Sequence, residues 1–145
     1  MKVRADFVTN SSSSSFVIAY RNVPDFDADT LKKYPFLKIY PKLIESVIRE
    51  ESGYETDAAE LFTSIEEYDK YFIERYGWKD NLNVRDIIGD DGYLNERYHK
   101  AIDYLKQGYT IAEKEIGYND ESLISIINTL ADDNDNFVVL EGEDT

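Results

Sequence analysis

Cysteine is absent from the 145 residues of this chain, and its absence excludes several kinds of chemistry at once. Without a thiol the chain can form no disulfide, offers no thiolate to a metal and has no cysteine nucleophile. Long hydrophobic runs are missing as well. The longest, Phe16–Tyr20, is too short for a bilayer span or for the apolar part of an export signal. We therefore expect a cytoplasmic protein that does not enter a membrane.

Histidine and glycine are also scarce. The seven glycines are scattered and mostly follow predicted helices, so none of them forms a phosphate-binding loop. His99 is the only histidine and has no second histidine or cysteine with which to share a metal. Residues 132–136 resemble the opening of a calcium loop, but Phe137 stands where that loop requires glycine. No metal and no cofactor are predicted.

Basic residues are few relative to acidic ones. The chain has 16 Lys and Arg against 30 Asp and Glu, which gives a formal net charge of -14. Most of the excess lies in residues 54–76 and 109–145, with about -5 and -9 charges respectively. Such a field repels phosphates, so direct nucleic-acid binding is disfavoured. The composition fits an unknown protein partner that has a basic surface, although an acidic excess also serves solubility alone.

What the chain does contain predicts one folded domain over residues 1–145. Hydrophobic residues make up 42% and aromatic residues 14%, which is enough for a core. Phe16–Tyr20 is apolar throughout and predicts a strand at the centre of a sheet. Tyr109–Tyr118 predicts a strand near a sheet edge, with a bulge or an exposed charged centre at residues 113–115. Phe137–Leu140 predicts the last strand, and residues 141–145 a frayed tail.

Apolar periodicity and capping residues predict the helices. We expect helices over residues 27–34, 41–52, 91–107 and 119–130, with Asn119 as the N-cap of the last one. Residues 57–62 and 64–76 carry two successive caps and predict a helix that kinks or restarts between them. Val84–Ile88 fits an edge strand or a single turn. The fold class is α+β, with a small sheet of three to four strands that includes both terminal strands, packed against four or five helices.

A pair of catalytic carboxylates is possible anywhere in so acidic a chain, but nothing in the sequence brings two particular ones together. A hydrolase site can be drawn from named residues around His99. His99 lies one turn from Asn95 and Asp103, and serines 11–15 could supply a nucleophile for a hydrolase. No glycine pattern of a nucleophile elbow surrounds those serines, so a surface histidine and a non-enzymatic protein are the favoured interpretations.

Twelve tyrosines are unusual for this length, and tyrosine is frequent in binding hot spots. Several stand beside acidic residues and predict an interaction surface, which we take as the leading functional hypothesis. An alternative is an acidic nucleic-acid mimic that occupies the basic groove of a host-defence protein, which requires both acidic segments on one face. The candidate surface residues are Tyr54, Glu66, Glu67, Tyr71, Tyr118, Asp120 and Glu121.

A run of five serines precedes the first strand. It predicts a loop for a partner or an anion, an ordered structural loop or a mobile linker. The segment RADFVTNSSSSSF, residues 4–16, resembles an N-terminal segment of uncharacterised bacterial proteins, many from Firmicutes and some phage-like. The resemblance implies a source class and carries no activity or ligand. The candidate loop residues are Arg4, Asp6, Asn10, Ser11, Ser12, Ser13, Ser14 and Ser15.

Overall fold

The computed structural model describes residues 13–21, 27–51, 56–77, 83–89, 91–132 and 134–142. Within these ranges there are four strands, six α-helices and one 3-10 helix. The strands are β1 (Ser13–Tyr20), β2 (Glu60–Phe62), β3 (Thr110–Gly117) and β4 (Phe137–Glu141). The helices are α1 (Ala28–Lys33), the 3-10 helix (Pro35–Ile39), α2 (Tyr40–Arg49), α3 (Ile65–Tyr76), α4 (Val84–Ile88), α5 (Gly92–Lys106) and α6 (Glu121–Ala131).

The four strands form one antiparallel sheet in the order β2-β3-β1-β4. β1 pairs with β3 over eight residues, from Ser13 opposite Gly117 to Tyr20 opposite Thr110. The α+β class and the central position of β1 are therefore confirmed. The edge position of β3 was wrong, because β3 has a paired strand on each side. No bulge interrupts it, and the shift of register lies between β1 and β4, at Val17 and Ile18.

Helices cover both faces of the sheet. Because side chains alternate along a strand, Phe16 and Ile18 point to one face, and Val17 and Ala19 to the other. The first face packs on α2 and α6, and the second on α3, α4 and α5. The core on the first face includes Ile44, Val47, Ile48, Leu123, Ile124 and Ile127. The core on the second includes Tyr68, Phe72, Ile87, Ala101, Ile102 and Leu105.

For two short segments the structure corrects or decides what the sequence pattern predicted. The helix predicted over residues 57–62 is wrong, since Leu61 and Phe62 pair with β3 as part of β2. The buried Phe62 ring packs edge-on against Tyr68 at 5.4 Å, so tertiary contact outweighs the local capping pattern. Val84–Ile88, which fitted a strand or a turn, is the helix α4, and the Asn83 side chain caps it by accepting from the Asp86 amide at 2.9 Å.

The predicted caps of α3 and α6 have different outcomes. Ser64 accepts from the Glu67 amide at 3.1 Å, and the Glu67 carboxylate accepts from the Thr63 amide at 2.9 Å, which confirms the cap of α3. At α6 the predicted cap at Asn119 was wrong. Asp120 is the N-cap and makes no side-chain cap bond, because its carboxylate accepts from the Thr56 hydroxyl instead.

The chain end differs in one residue from its prediction. Glu141, assigned to the frayed tail, is the last residue of β4. Residues 143–145 lie outside the described ranges. In the part of the chain that the structure describes, no helix has the length and apolarity needed to cross a membrane.

A buried charge cluster and the surface depression beside it

The serine run does not form the predicted loop at its C-terminal end. Ser13, Ser14 and Ser15 belong to β1 and pair with residues of β3. Pairing satisfies their backbone groups in a ladder, which a turn-forming sequence alone did not indicate. The other candidate loop residues lie outside the described ranges: Arg4, Asp6, Asn10, Ser11 and Ser12.

The predicted acidic and tyrosine surface is divided between the two faces of the sheet. Glu66, Glu67 and Tyr71 are on α3, whereas Glu121 starts α6 on the opposite face, just after the exposed Tyr118. Asp120 is half-buried, and its carboxylate accepts a hydrogen bond from the Thr56 hydroxyl. The same hydroxyl accepts from the Gly117 amide at 2.9 Å. Tyr54 lies outside the described residues. The seven residues therefore do not form one surface.

Tyr71 belongs instead to a hydrogen-bonded cluster around a buried carboxylate. The hydroxyls of Tyr68 and Tyr71 donate to Glu113 at 2.9 and 3.0 Å. Arg97 donates from Nη2 to the same carboxylate at 2.9 Å, and both members of this ion pair are almost fully buried. Glu113 occupies the middle of β3 on the face that carries α3 and α5. One buried carboxylate thus collects three donors from two helices.

The other end of the Arg97 guanidinium reaches the surface. Its Nη1 contacts the Glu141 carboxylate and donates to the Tyr93 hydroxyl at 3.1 Å. The Tyr93 hydroxyl in turn donates to Glu141 at 2.7 Å. Arg97 Nε is buried and has no acceptor among the described residues. The cluster therefore extends from the sheet centre to the end of β4.

Burial and charge shift the titration of these groups. Burial and the Glu113 carboxylate raise the pKa of Tyr68 and of Tyr71, since ionisation would put a second negative charge beside the first. Burial acts to lower the pKa of Arg97, but Glu113 and the neighbouring tyrosines outweigh it, so this pKa is raised. Both shifts favour protonated tyrosines around a charged Arg97.

A depression of about 80 Å³ lies beside the outer end of the cluster. Tyr93, Glu96 and Lys100 from α5 line it together with Glu141, and Val17 and Leu140 supply apolar wall. Lys100 and Glu96 form an exposed ion pair of 3.1 Å. The depression offers an aromatic ring, carboxylates and cations within a small area, an arrangement suited to binding a charged side chain.

A second buried charge points from β3 to the other face. Lys114 is 1% exposed, and its Nζ donates to the backbone oxygens of Ile48 at 3.3 Å and Asp57 at 2.7 Å, and also to that of Glu50. Burial lowers the pKa of Lys114, and nearby carboxylates oppose this shift. The exposed charged centre predicted for β3 was therefore wrong, because Glu113 and Lys114 are both buried and both have partners.

His99 is exposed on α5, and its Nδ1 lies 2.9 Å from the Asn95 carbonyl. A carbonyl only accepts, so Nδ1 carries the proton in this contact. The ring packs edge-on against Tyr98 at 5.3 Å. These contacts engage the ring with its own helix and give no support to the predicted serine pairing.

Sequence reasoning missed Arg97, although a signal was present. Arg97 follows Leu94 by three residues and precedes Ala101 by four, so it lies on the apolar stripe of α5. A charged residue on such a stripe, together with charges inside a β-forming run, would have indicated a buried pair.

The fold and this cluster define a small α+β protein whose internal strand β3 carries a buried charge on each face. Comparison with known proteins adds no relative: no protein-family model matches the chain, and neither does any curated protein or solved structure.

Proposed function

We propose that this chain is a cytoplasmic, non-enzymatic interaction or regulatory module of bacterial or phage origin that binds a basic segment of a partner protein. The tyrosine-rich layer of α3 and α5 would form the binding surface. It keeps Glu66, Glu67 and Tyr71 from the surface first suggested by the sequence and adds Tyr93, Glu96 and Glu141. The Tyr98 hydroxyl, which donates to Asp69 at 2.6 Å, links the two helices of this layer.

The observation that carries the proposal is the position of Tyr93. Its side chain is exposed at 52%, yet its hydroxyl is fixed by the 2.7 Å bond to Glu141 at the depression. A fixed aromatic ring loses little conformational freedom on binding, which is a property of binding hot spots. An arginine of the partner could stack on this ring and pair with Glu96 in exchange for Lys100.

The test is binding of a fluorescein-labelled hexa-arginine peptide, followed by fluorescence anisotropy at two salt concentrations. Tyr93→Ala is expected to weaken binding at least about fivefold, as hot-spot truncation does. Glu66→Gln, on the same layer, should reduce the affinity for the peptide more at low salt than at high salt.

Matched controls are available at exposed residues that do not belong to this layer. Tyr118 is exposed at 46%, and Glu121 is an exposed carboxylate, so Tyr118→Ala and Glu121→Gln repeat the same chemical changes away from the proposed surface. Both should leave the affinity unchanged. Equal losses for the two tyrosine variants would mean that the peptide does not depend on Tyr93 in particular, and equal losses for the two glutamate variants would mean that it responds to net charge alone; either result would overturn the proposal.

The nucleic-acid mimic has less support. It requires one continuous acidic face, whereas the acidic residues of α3 and those at the start of α6 lie on opposite faces of the sheet.

A further inference from the structure

A basic and apolar segment stands out against the acidic character of the whole chain. Residues 32–43 read KKYPFLKIYPKL, with four lysines and no carboxylate, in a protein of net charge -14. Acidic residues on both sides of this segment offset the charge of its lysines within residues 1–53. The segment runs from the end of α1 through the 3-10 helix into α2.

Three large side chains of this segment are exposed at the surface. Tyr34, Ile39 and Leu43 are exposed at 44%, 58% and 37%, and all four lysines are exposed as well. α1 contributes no buried residue to the core. Four of its six residues are exposed and two, Thr30 and Leu31, are half-buried, so α1 has little of the tertiary packing that ordinarily stabilises short helices. Lysines surrounding exposed apolar and tyrosine side chains are instead typical of segments that lie at a membrane interface.

We propose that residues 32–43 form a docking surface for an anionic phospholipid bilayer. The lysines would face the lipid phosphates, and Ile39 and Leu43 would enter the boundary between headgroups and acyl chains. Tyrosine favours the same interface, because it has an apolar ring and a polar tip. The chain would lie on the membrane and not span it.

The shape and charge of the surroundings favour lipid over an acidic protein segment. A peptide usually binds in a groove. The groove next to the segment, on α2, is lined by Glu45 and Glu50 as well as by Lys42 and Arg49. An acidic peptide would meet those carboxylates. A fluid interface accepts projecting side chains without a groove, and at physiological salt the carboxylates elsewhere on the protein are screened beyond about 8 Å.

The experiment is co-sedimentation with vesicles of phosphatidylcholine alone and of phosphatidylcholine with phosphatidylglycerol at 3:1. Binding is expected for the anionic vesicles at physiological salt, where the acidic residues elsewhere are screened, and not for the neutral ones. Neutralising Lys38 and Lys42 to glutamine should reduce partitioning about fivefold for each lysine removed. Ile39→Ser with Leu43→Ser should reduce it at all salt concentrations, since apolar insertion is not screened.

The control pair is Lys100→Gln with Lys106→Gln, which removes two exposed lysines from α5 on the other face of the sheet. It should leave partitioning unchanged, and circular dichroism should show native helix content for every variant. The proposal is overturned if anionic vesicles do not bind or if the control pair reduces binding equally. The variants of residues 32–43 are also tested for binding to a polyglutamate peptide and for dimerisation in size-exclusion chromatography. The proposal is overturned if they abolish either one without changing vesicle binding.

Discussion

Arg97 Nη2 lies 2.9 Å from Glu113 Oε1, and the two side chains are only 3% and 5% exposed. This pair joins the middle of α5 to the middle of the internal strand β3, and it is withdrawn from water on both sides. A buried charge is tolerated only when its partner and hydrogen bonds replace the lost hydration. The position of α5 on the sheet therefore depends on both members of the pair being present.

Removing one member should destabilise the protein more than the loss of any surface ion pair. We expect Arg97→Met and Glu113→Gln each to lower the free energy of unfolding by about 3–5 kcal/mol, because each leaves the other group without its partner. The double variant should lose less than the sum of the two. Urea denaturation of all four proteins gives the coupling energy.

The control pair for this cycle is Glu96 and Lys100 on the same helix, which are 3.1 Å apart and largely exposed. Its coupling energy should stay below about 0.5 kcal/mol. Additive losses at Arg97 and Glu113 would contradict the assigned role of the buried pair.

Alkaline pH should destabilise the protein through Tyr68 and Tyr71. Burial and the Glu113 carboxylate raise the pKa of both hydroxyls above the usual tyrosine value of 10.0. Above pH 10 the unfolded chain releases these protons while the folded chain keeps them. The stabilising contribution is therefore complete below pH 10 and is lost progressively as the pH rises further.

The measurement is the free energy of unfolding against pH from 8.5 to 11.5, with tyrosinate absorbance followed in parallel. Tyr68→Phe with Tyr71→Phe should flatten the decline, even though it lowers stability at neutral pH. Tyr118→Phe, which makes the same chemical change at an exposed tyrosine just after β3, is the control variant. An unchanged slope in the double variant would contradict the predicted linkage.

The sequence predicted the architecture better than it predicted the buried charges. The apolar run of β1, the Ser64 cap of α3 and the apolar stripe of α6 are local patterns, and the fold follows them. The position of β3 depends on which strands pair with it, and β2 became a strand only through that pairing. Such contacts join residues far apart in the chain, so local propensity cannot specify them.

The candidate site was missed for a related reason. Glu113 and Lys114 looked exposed because each is charged, and their burial becomes favourable only with donors and acceptors supplied from α3, α5 and the end of α2. Those partners lie between 16 and 66 positions away in the sequence. Polar residues at core positions are where pattern reasoning is expected to fail, because their satisfaction is tertiary.

Lys114 should be needed to hold the end of α2 against the segment that leads into β2. Its ammonium donates to the backbone oxygens of Ile48, Glu50 and Asp57. Lys114→Met keeps the length of the side chain and removes every donor. We expect a loss of about 3 kcal/mol, since each buried polar group left unsatisfied costs about 1–3 kcal/mol.

Two measurements test this prediction. Urea denaturation should show the loss for Lys114→Met and almost none for Lys106→Met, which makes the same change on an exposed face of α5. Amide hydrogen exchange should become faster at Ala59, whose amide donates to the Ile48 carbonyl at 3.0 Å. Equal stability of the two variants would contradict the anchoring role.

Two glycines at the ends of α5 should respond to alanine with opposite signs. Gly108 follows the helix at φ +91°, in the left-handed region, and its amide donates to the Leu105 carbonyl at 3.0 Å. Gly92 is the first residue of the helix and lies outside that region. Among the described residues an added Cβ meets nothing within 4 Å at either position, so the difference is one of backbone conformation.

Gly108→Ala should therefore destabilise the protein by about 1–2 kcal/mol, the cost of a left-handed L-residue. Gly108→Asn should cost less, because asparagine tolerates that conformation. Gly92→Ala should stabilise by about 0.4–1 kcal/mol, since alanine reduces the freedom of the unfolded chain at a compatible position. Thermal and urea unfolding of the three variants give the signs directly. The left-handed turn at Gly108 is closed by the Tyr109 amide, which donates to the Tyr104 carbonyl. Stabilisation by alanine at both positions would mean that α5 can end without this turn.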